Sequence, residues 1–206
     1  MENSVELLGF YGGDLTHAMS AWTSTSRELD ERKMARIPAL LKQLAEAGHH
    51  TPFEKSAIHF LVTVDDATHI QLIKHRIGVS VNGESARYKE LKDDKFLIPD
   101  DWPVEYMVQM QAWMAQGYKL YHQAMEDLTP ILGRKRAKES ARFFLPKANQ
   151  IKLDVMFNFR SFMAFQKLRN EEHAQKEIRD LAEKMLQLVR KTGEFEHSLE
   201  GFGYGN

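Results

Sequence analysis

Apolar and polar residues alternate with a period of two in a few short stretches of the chain and recur at helical spacing in several long ones. Residues 5–11 predict a first strand. Residues 57–64 alternate more cleanly and put Ile58, Phe60, Val62 and Val64 on one face. A third strand is predicted over 151–157. Between them, 14–24 reads as a short helix with Asp14 as its N-cap. Residues 29–47 read as a longer one, with Ile37, Leu40, Leu41, Leu44 and Ala47 at helical spacing and Gly48 as the stop. Pro38 interrupts that helix or sets its true start. His49-His50-Thr51-Pro52-Phe53-Glu54 is turn-like, because a residue before proline avoids the helical region.

Asp65-Asp66 can cap a helix reaching His75-Arg76, followed by a polar loop through Gly78 and Gly83. Asp101-Trp102-Pro103 opens a long helix to about 127, with Met107, Met110, Met114, Tyr118 and Tyr121 as its apolar face, and Pro130 and Gly133 end that region. Residues 134–144 form a short helix stopped by Leu145-Pro146. Two helices, 159–168 and 172–191, close the chain, the second with Ile178, Leu181, Met185, Leu188 and Val189 as its buried stripe. Strands mixed with long helices, without regular βαβ alternation, predict an α+β fold, and 1–206 reads as a single catalytic domain. The last six residues, GFGYGN, are expected to fray.

Composition narrows the chemistry. The chain has 206 residues and no cysteine, which excludes disulfides, thiolate metal sites and a cysteine nucleophile. With 28 basic and 29 acidic side chains no global field draws it to nucleic acid. No apolar run approaches a membrane span, and MENSVELLGFYGGDL lacks the basic and apolar regions of a signal peptide, so the cytoplasm is the expected location. His50 with Glu54, and His173 with Glu177, sit four apart, but no HExxH or dense His/Asp cluster occurs and no metal is expected. His59 and His69 read as strand and helix surface residues, and the methionines as core filler. No GxGxxG, Walker A or GxSxG motif occurs.

Two constellations stand out. Lys74-His75-Arg76 at a predicted helix end precedes Ser80-Val81-Asn82-Gly83-Glu84-Ser85-Ala86-Arg87-Tyr88. Small residues let backbone N–H groups approach an anion and arginine supplies a planar fork, so the run reads as a phosphate-binding loop. It reads equally as a solvated helix C-terminus whose cations complement the dipole. The second comprises Arg142, Arg160, Arg169 and Arg179 among apolar residues. These four can pair internally with Asp154, Glu172 or Glu177, or converge on an anionic ligand.

Taken together, these blocks resemble the flavin-dependent thymidylate synthase family. Its hallmark is Arg-His-Arg, a short spacer, then Ser-x-Asn-x-x-Ser-x-Arg-Tyr, and the run from Lys74 to Tyr88 matches it. Gly48-His49-His50-Thr51-Pro52-Phe53-Glu54 resembles the family's stretch ahead of the first core strand. Ala141-Arg142, Leu145-Pro146, Asn158-x-Arg160-Ser161, Leu168-Arg169 and His173-Ala174-Gln175-x-Glu177-Ile178 resemble its C-terminal signature. The likeness covers about residues 8–185, with three motifs in the right order.

The resemblance implies a twisted, mostly antiparallel sheet packed with long helices. It also implies reductive methylation of dUMP to dTMP, with methylenetetrahydrofolate as carbon donor, FAD as cofactor, NADPH as reductant and no cysteine adduct. Arg169 would stabilise the anionic uracil, and Gln71, Lys74, Ser85, Arg87 and Arg142 would hold the nucleotide, Arg87 at its phosphate. Thr51, Lys74, His75, Arg76, Asn158 and Arg160 would contact FAD, with Ser24 and His173 as weaker flavin contacts. His49 and Tyr88 would stack on the folate pterin. A homotetramer with sites shared between subunits follows from the same likeness.

Four departures from the family pattern are visible. Lys74 replaces an arginine and loses the bidentate fork, and the spacer Ile77-Gly78-Val79 is one residue longer. Gly83 stands where an acid or amide is common, with Glu84 following, and Ala164 replaces a flavin-facing asparagine of some members. They leave open another pyrimidine substrate or a hydroxymethyl product, beside divergence with the activity kept. A nucleic-acid-binding module using the arginines on phosphates is the reading from another class, opposed by the near-zero net charge and the lack of a basic stripe.

Overall fold

The computed structural model describes residues 2–205. Its order is β1 (Ser4–Tyr11), α1 (Asp14–Trp22), α2 (Glu31–Glu46), β2 (Ala57–Asp65), α3 (Asp66–Leu72), β3 (Val79–Gly83), α4 (Val104–Leu132), α5 (Arg134–Ala141), β4 (Gln150–Asn158), α6 (Phe159–Arg169), α7 (Lys176–Arg190) and α8 (Glu196–Gly201). The strands form a four-stranded antiparallel sheet in the order β1-β2-β4-β3, so the fold is α+β as predicted. The predicted face of β2 is fully buried at Ile58, Phe60, Val62 and Val64.

Two compact units divide the chain. One comprises the residues up to Ser4, Val62–Ile73 and Asn82–Leu153; the other comprises Val5–Leu61, Lys74–Val81 and Asp154 onward.

In the first unit α4 and α5 enclose a core of Leu91, Tyr121, Met125, Ala137 and Ala141. The Tyr121 hydroxyl accepts the Leu91 N–H at 3.0 Å, so this ring is tied at its polar end. Met114, Gly117 and Tyr118 complete the buried face of α4, whereas Met107 and Met110 of the predicted face are only half-buried. Pro130 lies inside α4 and the stop is Gly133, at φ 77°. Asp65 caps α3 by accepting the Thr68 N–H at 2.9 Å, and α3 ends at Leu72, short of the predicted His75-Arg76.

The second unit is aromatic-rich, with Phe53, Phe157, Phe159, Phe162, Phe165 and Phe195 buried. Asp30 caps α2 through the Lys33 N–H, and Pro38 lies within it, neither interrupting nor starting it. On α7 the stripe is Ile178, Leu181, Ala182, Met185, Leu186 and Val189, with Leu188 only half-buried. Asp14 does not cap its own helix. Its carboxylate accepts the backbone N–H groups of His197 at 2.7 Å and Ser198 at 2.9 Å, in the first turn of α8. Of the terminal stretch expected to fray, Asn206 lies outside the described residues. The Gly203 and Tyr204 amides bond back to Glu200 and Leu199, and Arg190 donates to the Tyr204 carbonyl at 3.1 Å.

His17 is the buried titratable group of this unit. Ser198 Oγ donates to Asp14 Oδ1 at 2.5 Å, so its proton is committed. His17 Nδ1, 2.8 Å from Ser198 Oγ, is therefore the donor, and Nε2 accepts from Ser56 Oγ at 2.7 Å. Burial lowers the imidazole pKa from 6.5 to about 4. The unfolded chain takes up this proton first as pH falls. The His17 contribution is thus complete above pH 6.5 and is lost as pH drops toward 4, by about 3 kcal/mol in all. Urea denaturation at a series of pH values should show this loss, and the His17→Gln variant should lack that part of the slope.

Candidate active site

The segment after α3 is positioned by the start of α6. Asn158 is the N-cap of α6, its side chain accepting the Ser161 N–H at 2.8 Å. Its own N–H donates to the Gly78 carbonyl at 2.9 Å, while Ser161 Oγ donates to the Ile77 carbonyl at 2.6 Å. Gly78 has φ 65°, and a Cβ there would lie 2.3 Å from both Asn158 Nδ2 and Ser161 Oγ. The longer spacer thus contains a residue that only glycine can supply.

This anchoring gathers Lys74, His75, Arg76, Asn158 and Arg160 around a cavity of about 490 Å³ in the second unit, with Glu54, Ile77, Val79, Ser161 and Ala164. Arg160 is ion-paired with Glu54, while Lys74 and Arg76 are exposed. Ile77, although apolar, is 89% exposed. Cations beside exposed apolar surface suit a planar heteroaromatic group carrying phosphate. The donor set therefore fits a flavin nucleotide, and Ala164 gives its wall a small apolar side chain.

Arg169 ends α6 and donates from Nε to His75 Nε2 at 3.1 Å. A guanidinium N–H can only donate, so His75 Nε2 carries the lone pair and the ring proton sits on Nδ1. The His75 ring also meets Phe165 edge-on, centroids 5.1 Å apart. Burial pushes the His75 pKa below the ordinary value, and the Arg169 charge pushes it the same way.

Thr51, Ser24, His173 and His49 do not line this cavity. Thr51 opens a 3-10 turn, Thr51–Glu54, whose last residue does reach it. Ser24 follows α1 and donates to the Ala21 carbonyl at 3.0 Å. His49 and His173 are exposed in the segments after α2 and before α7. Glu54, Ile77, Val79 and Ser161 line the cavity without having been singled out for it. The signal for Ser161 lay in Asn158, three residues earlier, which reads as a helix cap.

The nucleotide candidates Gln71, Ser85, Arg87 and Arg142 fall in the first unit. Gln71 is on α3, and Ser85 and Arg87 are in the turn after β3, where the Ser85 carbonyl accepts the Tyr88 and Lys89 N–H groups. Arg87 is held by Glu139, with Nε and Nη2 both 3.3 Å from Oε1. Arg142 opens the 3-10 turn Arg142–Phe144, its guanidinium 5.9 Å from the Phe143 ring centre. Tyr88 and Glu84 line a separate cavity of about 500 Å³ in this unit, rich in lysine, which Gln71, Ser85, Arg87 and Arg142 do not reach.

The polar loop expected through Gly83 is in fact strand β3 over its second half. Val79 and Val81 are half-buried and Ser80 and Asn82 exposed, which is strand alternation. A Cβ on Gly83 would lie 2.6 Å from the buried Leu153 Cδ2, so a larger residue there would have to displace that side chain. The acid stands one residue later. Glu84 accepts the Lys152 N–H at 3.1 Å and is ion-paired with Lys89. Burial raises its pKa, but these partners outweigh burial and hold the carboxyl below its usual range.

The arginines do not take the predicted carboxylates. Arg160 pairs with Glu54, and Arg179 donates to the Glu172 backbone carbonyl at 3.2 Å. Asp154 is instead engaged by His59 at 2.6 Å, and Glu177 accepts from Gln175 at 2.7 Å. Among the described residues no three His, Asp or Glu side chains come together as a metal site, and no helix is long and apolar enough to cross a membrane.

Residues 6–192 match the family described as thymidylate synthase complementing protein. The flavin-dependent thymidylate synthase of Pseudothermotoga lettingae is 30% identical over 193 residues, covering 90% of this chain and 84% of that one. Among solved structures, the UMP/dUMP methylase PolB from Streptomyces cacaoi bound with 5-Br dUMP superposes with a TM-score of 0.84 at 26% identity, covering 99% of this chain and 96% of that one. The same methylase bound with 5-Br UMP gives a TM-score of 0.75 at 25% identity, covering 100% and 96%.

Proposed function

The chain belongs to the thymidylate synthase complementing protein family, the flavin-dependent thymidylate synthases, and on that premise we propose that it is an FAD-dependent enzyme that methylates dUMP to dTMP, with methylenetetrahydrofolate as carbon donor and NADPH as reductant. The observation that carries this reading is the cavity joining Lys74, His75, Arg76, Asn158 and Arg160, with His75 hydrogen-bonded to Arg169.

In this reading the chain's own groups act by charge and position. Lys74, His75, Arg76, Asn158 and Arg160 would hold FAD in this cavity, and Thr51, Ser24 and His173, which do not line it, would be cofactor contacts at a site shared with another subunit. When bound, the reduced flavin supplies the hydride. Arg169 would stabilise negative charge developing on the uracil through its positive charge and its N–H donors. Gln71, Lys74, Ser85, Arg87 and Arg142 hold the nucleotide, and His49 and Tyr88 stack on the pterin. The chain has no cysteine, so the pyrimidine is activated without a thiolate adduct.

A homotetramer with shared sites fits the exposed apolar run along α4, where Val104, Tyr106, Val108 and Trp113 face outward. We place the reaction in the cytoplasm, where free nucleotides, folates and reduced nicotinamides are held.

Replacing Arg87 by alanine should weaken nucleotide binding by about tenfold or more, since a charge-assisted fork to phosphate is lost. Flavin content should stay unchanged. Nucleotide titration of the flavin-loaded protein reads both.

A second reading has a specific support. The structurally similar methylase is named for both UMP and dUMP, and Gly83, Glu84 and the longer spacer alter the segment leading into Ser85 and Arg87. Substrate could then be another pyrimidine nucleotide, or the product hydroxymethylated. Incubating the purified protein with FAD, NADPH, methylenetetrahydrofolate and equal dUMP and UMP, then weighing the products, separates these. A methyl gain on dUMP supports the first reading. A gain on UMP, or a mass larger by one oxygen, supports the second. A flavin-binding protein that modifies neither nucleotide contradicts the first reading and excludes UMP from the second.

A further inference from the structure

The Arg169–His75 contact has a direction, and the direction assigns a role. Arg169 stands at the last position of α6, where a long side chain has many rotamers. Its Nε donates to His75 Nε2 at 3.1 Å, and a hydrogen bond from Nε constrains the plane of the guanidinium. His75 itself is fixed. Its ring packs edge-on against Phe165, which is fully buried on α6. The chain on its C-terminal side is pinned where Ile77 and Gly78 give their carbonyls to Ser161 and Asn158.

We propose that His75 is a positioning residue for Arg169: the neutral imidazole, protonated at Nδ1, accepts the Arg169 Nε–H and orients the guanidinium that stabilises the pyrimidine anion. This rests on the flavin-dependent reading above and adds to it a task for His75 distinct from contact with the cofactor. A protonated imidazole has no lone pair and would face a guanidinium, so the arrangement requires the neutral ring. Burial and the neighbouring arginine both favour that neutral form.

The test uses two amides of different reach. In His75→Gln the amide oxygen comes near the position of Nε2 and can accept from Arg169. In His75→Asn the side chain reaches only as far as Nδ1 and cannot. The flavin-loaded variants are compared for kcat at saturating dUMP and for flavin affinity by fluorescence. His75→Gln should keep kcat within about threefold of the parent, and His75→Asn should lose about ten- to a hundredfold, the worth of a hydrogen bond to a charged group. Flavin affinity should change alike in the two. Equal kcat in the two variants, or an undiminished His75→Asn, overturns the proposal.

A second readout does not depend on turnover. On protein labelled with nitrogen-15 histidine, His75 should carry its proton on Nδ1, and a proton on Nε2 overturns the contact itself. If the parent protein turns over no pyrimidine nucleotide, the functional reading fails, while this tautomer still decides the contact.

Discussion

Arg169→Ala should reduce turnover of dUMP by about a hundred- to a thousandfold while the protein still binds flavin. The size follows from the role. A preorganised donor aimed at developing charge in a water-poor site accounts for about 10²–10³ in kcat when removed. Retention of flavin follows from placement. Arg169 does not line the cavity that gathers Lys74, Arg76, Asn158 and Arg160, and it donates to His75 at the edge of that group. Alanine is also a good helix former, so α6 should persist. Absorbance of the bound flavin and the rate of dTMP formation measure the two halves. A variant with near-normal turnover would remove Arg169 from the chemistry. A variant that loses its flavin would move it into the cofactor site.

The second large effect is expected at a residue with no functional group. Gly78→Ala must put a Cβ 2.3 Å from Asn158 Nδ2 and Ser161 Oγ, at a backbone φ of 65°. The left-handed backbone costs about 1–2 kcal/mol, and displacing Asn158 from its cap costs about another 1 kcal/mol. A loss of about 2–3 kcal/mol corresponds to a melting temperature lower by about 5–10 °C in a chain of this size. Flavin affinity should fall with it, because Asn158 and the chain carrying Lys74, His75 and Arg76 are the parts displaced. Gly48→Ala is the matched control. Gly48 has φ 73° but nothing within 4 Å of a Cβ, so it should show the backbone cost alone and leave flavin binding intact. If the two variants behave alike, the packing of Gly78 against α6 does not matter for the site.

Much of the fold is legible from local pattern. The alternation over β2 predicts a strand because every second side chain there is fully buried, and the repeat along α7 predicts a helix for the same reason at helical spacing. What escapes is decided by distant partners. Asp14 carries the sequence sign of an N-cap, yet it caps α8, whose first-turn amides lie 183 and 184 residues away. α8 itself has six residues and two buried ones, too little for a periodic signal. β3 is masked by the turn character of Gly78 and Gly83 at its borders, although Val79 and Val81 keep the strand alternation. His17 attracts no notice in the sequence because Ser56 and Ser198, which satisfy it, are 39 and 181 residues distant.

The site divides in the same way. Lys74, His75 and Arg76 are found by motif because their types and spacing are local. The pairing of Arg160 with Glu54 across 106 residues, of Arg169 with His75 across 94 and of Asp154 with His59 across 95 has no local signature. Composition gives four arginines among apolar residues, and only the folded chain shows which of them meets a carboxylate and which a histidine.

Tritium release from dUMP labelled at C5 tests the central claim most directly, since any substituent added at that carbon must displace its hydrogen. The flavin-loaded protein should release tritium only when methylenetetrahydrofolate and a reductant are both present, with dTMP formed in step. Flavin-loaded protein that is properly folded, binds dUMP and yet releases no tritium under these conditions would contradict the assignment.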